Sequence, residues 1–154
     1  KREVLYDEIM EKAVAVGIGM VGPKRIDEIN ILQATYEAMR EAIKKLAVTP
    51  DILLNDAVTI PKVNIKQVPI IKGDAKSISI GAASILAKVT RDRMMKEYGK
   101  QYPEYGFEKH KGYVTKAHKE ALEKYGVTPI HRRSFAPVQK VLNEQLSFDF
   151  EEKD

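Results

Sequence analysis

Asp56, at the end of the apolar run Ile52-Leu53-Leu54, and Asp92, set between Arg91 and Arg93, are the two acids in this chain best placed to hold a cation. In open α/β sheets ligands collect at the carboxyl ends of strands, so an acid there is better placed for function than one in an arbitrary loop. A carboxylate against an apolar strand needs a metal, a base or hydrogen-bond donors. The plainer alternative is that Asp56 starts a turn with Asn55. Ser84, Lys88 and Asp92 recur every four residues, which places them on one stripe of a helix where they could face one site. Here the plainer alternative is an ordinary ion pair between Lys88 and Asp92, four residues apart. One acid from a strand and one from a helix suit a hard divalent cation, whose oxygen shell a substrate phosphate can complete. Two carboxylates are few for a pair of metal ions, which stand about 3.5–4 Å apart and usually need bridging and flanking acids.

The segment YPEYGFEKHKGY, residues 102–113, interleaves aromatics with Lys109, His110 and Lys111. Aromatic faces stack on bases or sugars, lysines meet phosphates, and a tyrosine hydroxyl can bond a ribose 2′-hydroxyl. For any single aromatic here, covering a small core is the commoner role. His110, His118 and His131 lack the spacing of a zinc site. KGDAKS, residues 72–77, has no Gly-x-x-x-x-Gly-Lys pattern and is no P-loop.

Charge is unevenly spread. Residues 88–133 carry twelve Lys or Arg against six Asp or Glu, whereas residues 147–154 are net acidic, so the overall +4 understates a local positive field. Such a field fits a polyanion such as nucleic acid, although a solvated lysine-rich surface would look the same. No cysteine is present, which excludes disulfides and thiolate metal sites. The longest nearly apolar run, residues 78–87, falls far short of the roughly 20 residues of a membrane span. With no signal-peptide pattern at the start, a cytoplasmic location is expected.

The elements that must position these residues follow from periodicity. A length of 154 residues suits one domain with a proper core. Residues 3–13 read as an amphipathic helix, and AVAVGIGMV, residues 13–21, as a buried strand ended by Gly22 and Pro23. Residues 24–46 read as a helix with room for one break, residues 51–60 and 66–71 as two further strands. The long helix over 77–98, capped by Ser77, is expected to be buried on most sides at its start and wet at its end. A short helix over 115–124 capped by Thr115, and a last one over 137–146 begun by proline, complete the chain. Helices alternating with strands imply an α/β domain with a partly parallel sheet.

Beyond these patterns the chain resembles bacterial ribonuclease HII, the type 2 ribonuclease H. The resemblance runs from Lys1 to about Val138 and is carried by AVAVGIGMV, IDEINILQAT (26–35), the strand ending in Asp56, KGDAKS, AASILAKVTRD (82–92), YPEYGF (102–107), HKGY (110–113) and PIHRRSF (129–135). AASILAKVTRD and HKGY in this order are highly specific. The resemblance implies a ribonuclease H-like α/β fold: a central mixed sheet flanked by helices over residues 1–112, a C-terminal helical extension over 113–146 that contributes to substrate binding, and a mobile tail over 147–154.

The implied activity is that of an Mg²⁺- or Mn²⁺-dependent endonuclease cutting RNA in RNA/DNA hybrids and beside single ribonucleotides in duplex DNA, as in ribonucleotide excision repair. Asp56 and Asp92 correspond to two of the family's four metal-binding carboxylates, and Tyr113 to the tyrosine that packs on the nucleotide at the cut site. Ser84 and Lys88 are assigned to backbone phosphate contacts on helix geometry alone. The family's first strand, with an Asp-Glu pair and a Gly-Arg-Gly turn, has no counterpart from Lys1 onward. The chain is therefore expected to lack the first strand of its domain and, by itself, to be inactive. The competing expectation is a non-catalytic hybrid- or DNA-binding module using the basic 88–133 face. QLSFDF, residues 145–150, resembles the peptide by which bacterial repair proteins dock on the replication sliding clamp, the plainer alternative being that its hydrophobic residues fold back on the core. A monomer is expected.

Overall fold

The computed structural model describes residues 1–113 and 115–143. In chain order its elements are α1 (Arg2–Lys12), α2 (Pro23–Ile29), α3 (Ile31–Lys45), β1 (Ile52–Asp56), β2 (Lys66–Ile70), α4 (Gly73–Lys76), α5 (Ile78–Gln101), a 3-10 turn (Pro103–Tyr105), α6 (Phe107–His110) and α7 (Lys116–Tyr125), followed by a helical stretch over 136–143. They form two compact units. The first comprises Lys1–Val21 and Leu32–Arg91, the second Gly22–Ile31 and the described residues from Asp92 onward.

In the first unit β1 and β2 pair in parallel, with Ile52 opposite Lys66 and Asp56 opposite Ile70. Gln67 ties their connection down: its Oε1 accepts from Asn55 Nδ2 at 2.8 Å and from the Ile60 amide at 2.7 Å, and its Nε2 donates to the Ile60 carbonyl at 3.0 Å. The expected break between residues 24 and 46 falls at Asn30, whose φ of 73° ends α2 before α3 begins.

The strand expected over 13–21 does not form. No described strand pairs with this stretch, and it lies against α3 instead. Its glycines explain why: a Cβ at Gly17 or Gly19 would collide with the carbonyl oxygens of Ala42 or Ala38, so their bare backbones permit the approach. Lys45 Nζ adds a 3.1 Å bond to the Ile18 carbonyl. An apolar run with glycines reads as a buried strand, but here it serves a close backbone-to-helix contact.

Helix α5 begins where Ser77 Oγ accepts the Ile80 amide at 3.3 Å, the cap anticipated from its sequence. The described residues cover one face of its first turns, burying Ile80, Leu86 and Val89, whereas Ile78 is 94% exposed. The expectation of burial on most sides is thus corrected. Its cause is compositional: a helix of small and aliphatic residues looks the same whether one face or all of them are covered.

The second unit has its own core of Met95, Tyr105, Phe107, Ala121, Leu122, Val138 and Val141. Tyr105 and Phe107 stack with ring centroids 5.4 Å apart, and the Tyr105 hydroxyl donates to the Gly126 carbonyl at 2.7 Å. Thr115 caps α7 by accepting the His118 amide at 3.2 Å. Asp27 clips the 129–135 loop, its carboxylate accepting from the Arg133 amide at 2.7 Å and from the Ser134 amide and hydroxyl at 2.7 and 2.6 Å.

Candidate functional site

Asp56 is the last residue of β1 and is exposed, whereas Asn55 before it is buried on Gln67, as alternation along a strand requires. Asp56 Oδ1 accepts the Gly73 amide at 2.9 Å. The KGDAKS segment is shaped for this bond. Lys72 takes left-handed backbone angles, φ 54° and ψ 42°, to turn the chain into α4. Gly73 is buried, and a Cβ on it would come within 2.6 Å of Ile80 Cδ1. Ser84 and Lys88, one turn apart on α5, belong to the same unit, Ser84 half-buried and Lys88 exposed.

Asp92 and Tyr113 belong to the second unit. Asp92 Oδ2 accepts from Lys111 Nζ at 3.1 Å. Lys111 sits in a tight turn over residues 110–113, closed by the Tyr113 amide donating to the His110 carbonyl at 3.0 Å. Both central residues have positive φ, Lys111 at 56° and Gly112 at 84°. Glycine accepts this angle without strain, and lysine is held in it. The turn aims Lys111 at Asp92 while Tyr113 stays 69% exposed. The other aromatics of the 102–113 segment behave differently, since Tyr105 and Phe107 are core and Tyr102 packs against it.

Sequence reasoning missed the arrangement beneath this turn. His110 and His118 stack with centroids 4.2 Å apart and an interplanar angle of 8°, and His118 Nε2 lies 2.8 Å from His131 Nε2. All three histidines are buried. Burial foremost, then His118 and His110, lowers His131 from 6.5 to about 4, and burial likewise lowers His118. Separations of eight and thirteen residues carry no periodic signal, so only the fold brings these rings together.

The ribonuclease HII family model matches residues 1–138. The chain belongs to the ribonuclease HII family. It is 70% identical over 135 residues to ribonuclease HII of Lachnoclostridium phytofermentans, covering 88% of this chain and 53% of that protein. It is 60% identical over 146 residues to the Bacillus cytotoxicus enzyme of that name, covering 95% and 56%, and 62% identical over 135 residues to that of Clostridioides difficile, covering 88% and 53%. The chain spans about half the length of the curated relatives it matches. The crystal structure of ribonuclease H2 from Pyrococcus horikoshii OT3 superposes with a TM-score of 0.80 at 28% identity, over 93% of this chain and 75% of that one. The fold is therefore the α/β fold of ribonuclease HII.

Ribonucleases HII are metal-dependent, and Asp56 and Asp92 have the oxygen chemistry that hard divalent cations take. In number the donors fall short: among the described residues no three of His, Cys, Asp or Glu converge as a metal-holding group. Among the described residues no helix is long and apolar enough to cross a membrane.

Proposed function

We propose that the protein to which this chain belongs is a metal-dependent endoribonuclease. It cleaves RNA in RNA/DNA hybrids and on the 5′ side of ribonucleotides embedded in duplex DNA, in the cytoplasm and as a monomer. Asp56 and Asp92 supply two of its metal-holding carboxylates, with Mg²⁺ or Mn²⁺ as the ion. When bound, such an ion would supply a water of lowered pKa and positive charge beside the phosphate oxygens. Tyr113 packs on the nucleotide at the cut, and Ser84 and Lys88 meet backbone phosphates. Residues 113–146 contribute to substrate binding.

The observation that supports this reading best is the 110–113 turn, which joins an exposed tyrosine to a cation already seated on Asp92. In the full-length protein, Asp92→Asn keeps affinity for a ribonucleotide-containing duplex and loses cleavage. Unchanged cleavage would remove Asp92 from the metal site.

Residues 145–150 lie outside the described residues. From their sequence they are proposed as a docking peptide for the sliding clamp, where burying Leu146, Phe148 and Phe150 would contribute about 1.5–3 kcal/mol each. Deleting residues 145–154 abolishes clamp binding on this reading, and unchanged binding rejects it.

A further inference from the structure

The three buried histidines touch none of the proposed metal or phosphate contacts, yet their hydrogen bonds have a fixed direction. His131 and His118 form a hydrogen-bonded chain, and each end of it is a backbone group whose role is fixed. At one end the Thr128 amide, which can only donate, lies 3.1 Å from His131 Nδ1, so that nitrogen is bare. A neutral His131 then carries its proton on Nε2 and donates across 2.8 Å to His118 Nε2. At the other end His118 Nδ1 lies 2.9 Å from the Tyr113 carbonyl, which can only accept, so His118 carries its proton there. Both ends demand the same tautomers. His110 is fixed in the same way, its Nδ1 accepting from the Gly112 amide at 3.1 Å and its Nε2 donating to the Tyr105 carbonyl at 2.6 Å.

A second proton on this chain would have to displace one of these donors or turn the Thr128 hydroxyl, 2.9 Å from His131 Nδ1, from donor to acceptor. The lowering of His118 and His131 agrees with the geometry. The chain ends on one residue. The Tyr113 carbonyl also accepts the Thr115 amide at 2.9 Å, and its own amide closes the 110–113 turn. Tyr113 is thus held by its backbone from the buried side while its ring stands in solvent.

We infer that His118, kept in its Nδ1–H tautomer by His131, is a positioning residue that fixes the Tyr113 backbone and so the direction in which its ring meets the nucleotide. The inference rests on the proposed role of Tyr113 as a substrate contact.

The test uses the full-length protein. Imidazole ¹⁵N spectra at neutral pH are expected to show His118 protonated at Nδ1 and His131 at Nε2. The opposite tautomer on His118, or rapid exchange between the two, overturns the inference whatever Tyr113 does to substrate. Kinetics on a duplex with one ribonucleotide adds two substitutions. His118→Asn keeps an N–H donor at the place of Nδ1, and KM stays within about twofold. His118→Gln keeps the link to His131 but loses the bond to Tyr113, and KM rises about five- to tenfold with kcat little changed. In a Tyr113→Ala background the Asn and Gln variants become indistinguishable. Equal effects of Asn and Gln with Tyr113 present, or a gap that persists without it, would make His118 an ordinary core residue. Should Tyr113→Ala leave KM and ribonucleotide preference untouched, the substrate role of Tyr113 fails. The positioning claim is then decided by the ¹⁵N tautomers and by the amide resonances of residues 111–113, which must move in His118→Gln but not in His118→Asn.

Discussion

Lys111 Nζ stands 3.1 Å from Asp92 Oδ2, with the two side chains 39% and 27% exposed. A lysine ammonium on a proposed metal ligand competes with the metal. At this exposure the pair is worth at most about 1 kcal/mol. Lys111→Met is therefore expected to lower the Mg²⁺ concentration at half-maximal cleavage by about two- to fivefold. A higher requirement would mean that Lys111 supports metal binding rather than opposing it.

Tyr113 is the exposed aromatic of a segment whose Tyr105 and Phe107 are buried in the second unit's core. Tyr113→Ala is expected to leave the melting temperature within about 1 °C, as surface substitutions usually do. It reduces the preference for a ribonucleotide over a deoxyribonucleotide at the cut. Equal losses on hybrid and single-ribonucleotide substrates, together with a lower melting temperature, would make it a structural tyrosine.

The local features of this fold were legible from the residues alone, and the non-local ones were not. Ser77 and Thr115 cap their helices as expected, and β1 and β2 lie within the runs read as strands, because caps and strand patterns involve neighbours in the chain. Residues 13–21 misled because Gly17 and Gly19 serve a contact with α3, some twenty residues on. The Asp27 clip on Ser134 spans 107 residues, and the histidine chain joins rings eight and thirteen apart. In neither case does spacing carry a signal. Asp56 and Asp92 stood out as acids with unusual neighbours, but their partners, the Gly73 amide and Lys111, became visible only in the fold.

The buried histidines make stability depend on pH. His131 is lowered from 6.5 to about 4, and His118 is lowered too. Folding therefore favours the neutral rings, and the unfolded chain binds more protons between these values. The His131 contribution is complete above about pH 6.5 and is lost as pH falls toward 4, by up to about 1.4 kcal/mol per pH unit, and His118 acts in the same direction. Urea melts across this window are expected to show the loss, and His131→Gln to flatten it. A profile unchanged by that substitution would contradict the neutral chain.

Asp27 accepts three hydrogen bonds from Arg133 and Ser134. Burial raises its pKa, but the bonds from Ser134 and Arg133 and the Arg132 charge together lower it. Asp27→Ala is expected to cost about 1 kcal/mol and to speed amide exchange in residues 132–135. Unaltered exchange there would show that the loop is held by Arg132 over the Phe135 ring, 4.6 Å from its centroid.

The measurement that bears most directly on the proposed function is cleavage and binding by full-length Asp92→Asn, side by side, on a duplex with one ribonucleotide in Mg²⁺ or Mn²⁺. Binding within about threefold of the parent, with cleavage reduced about 10²-fold or more, is the result predicted for a metal ligand. Cleavage at the parent rate would contradict the account.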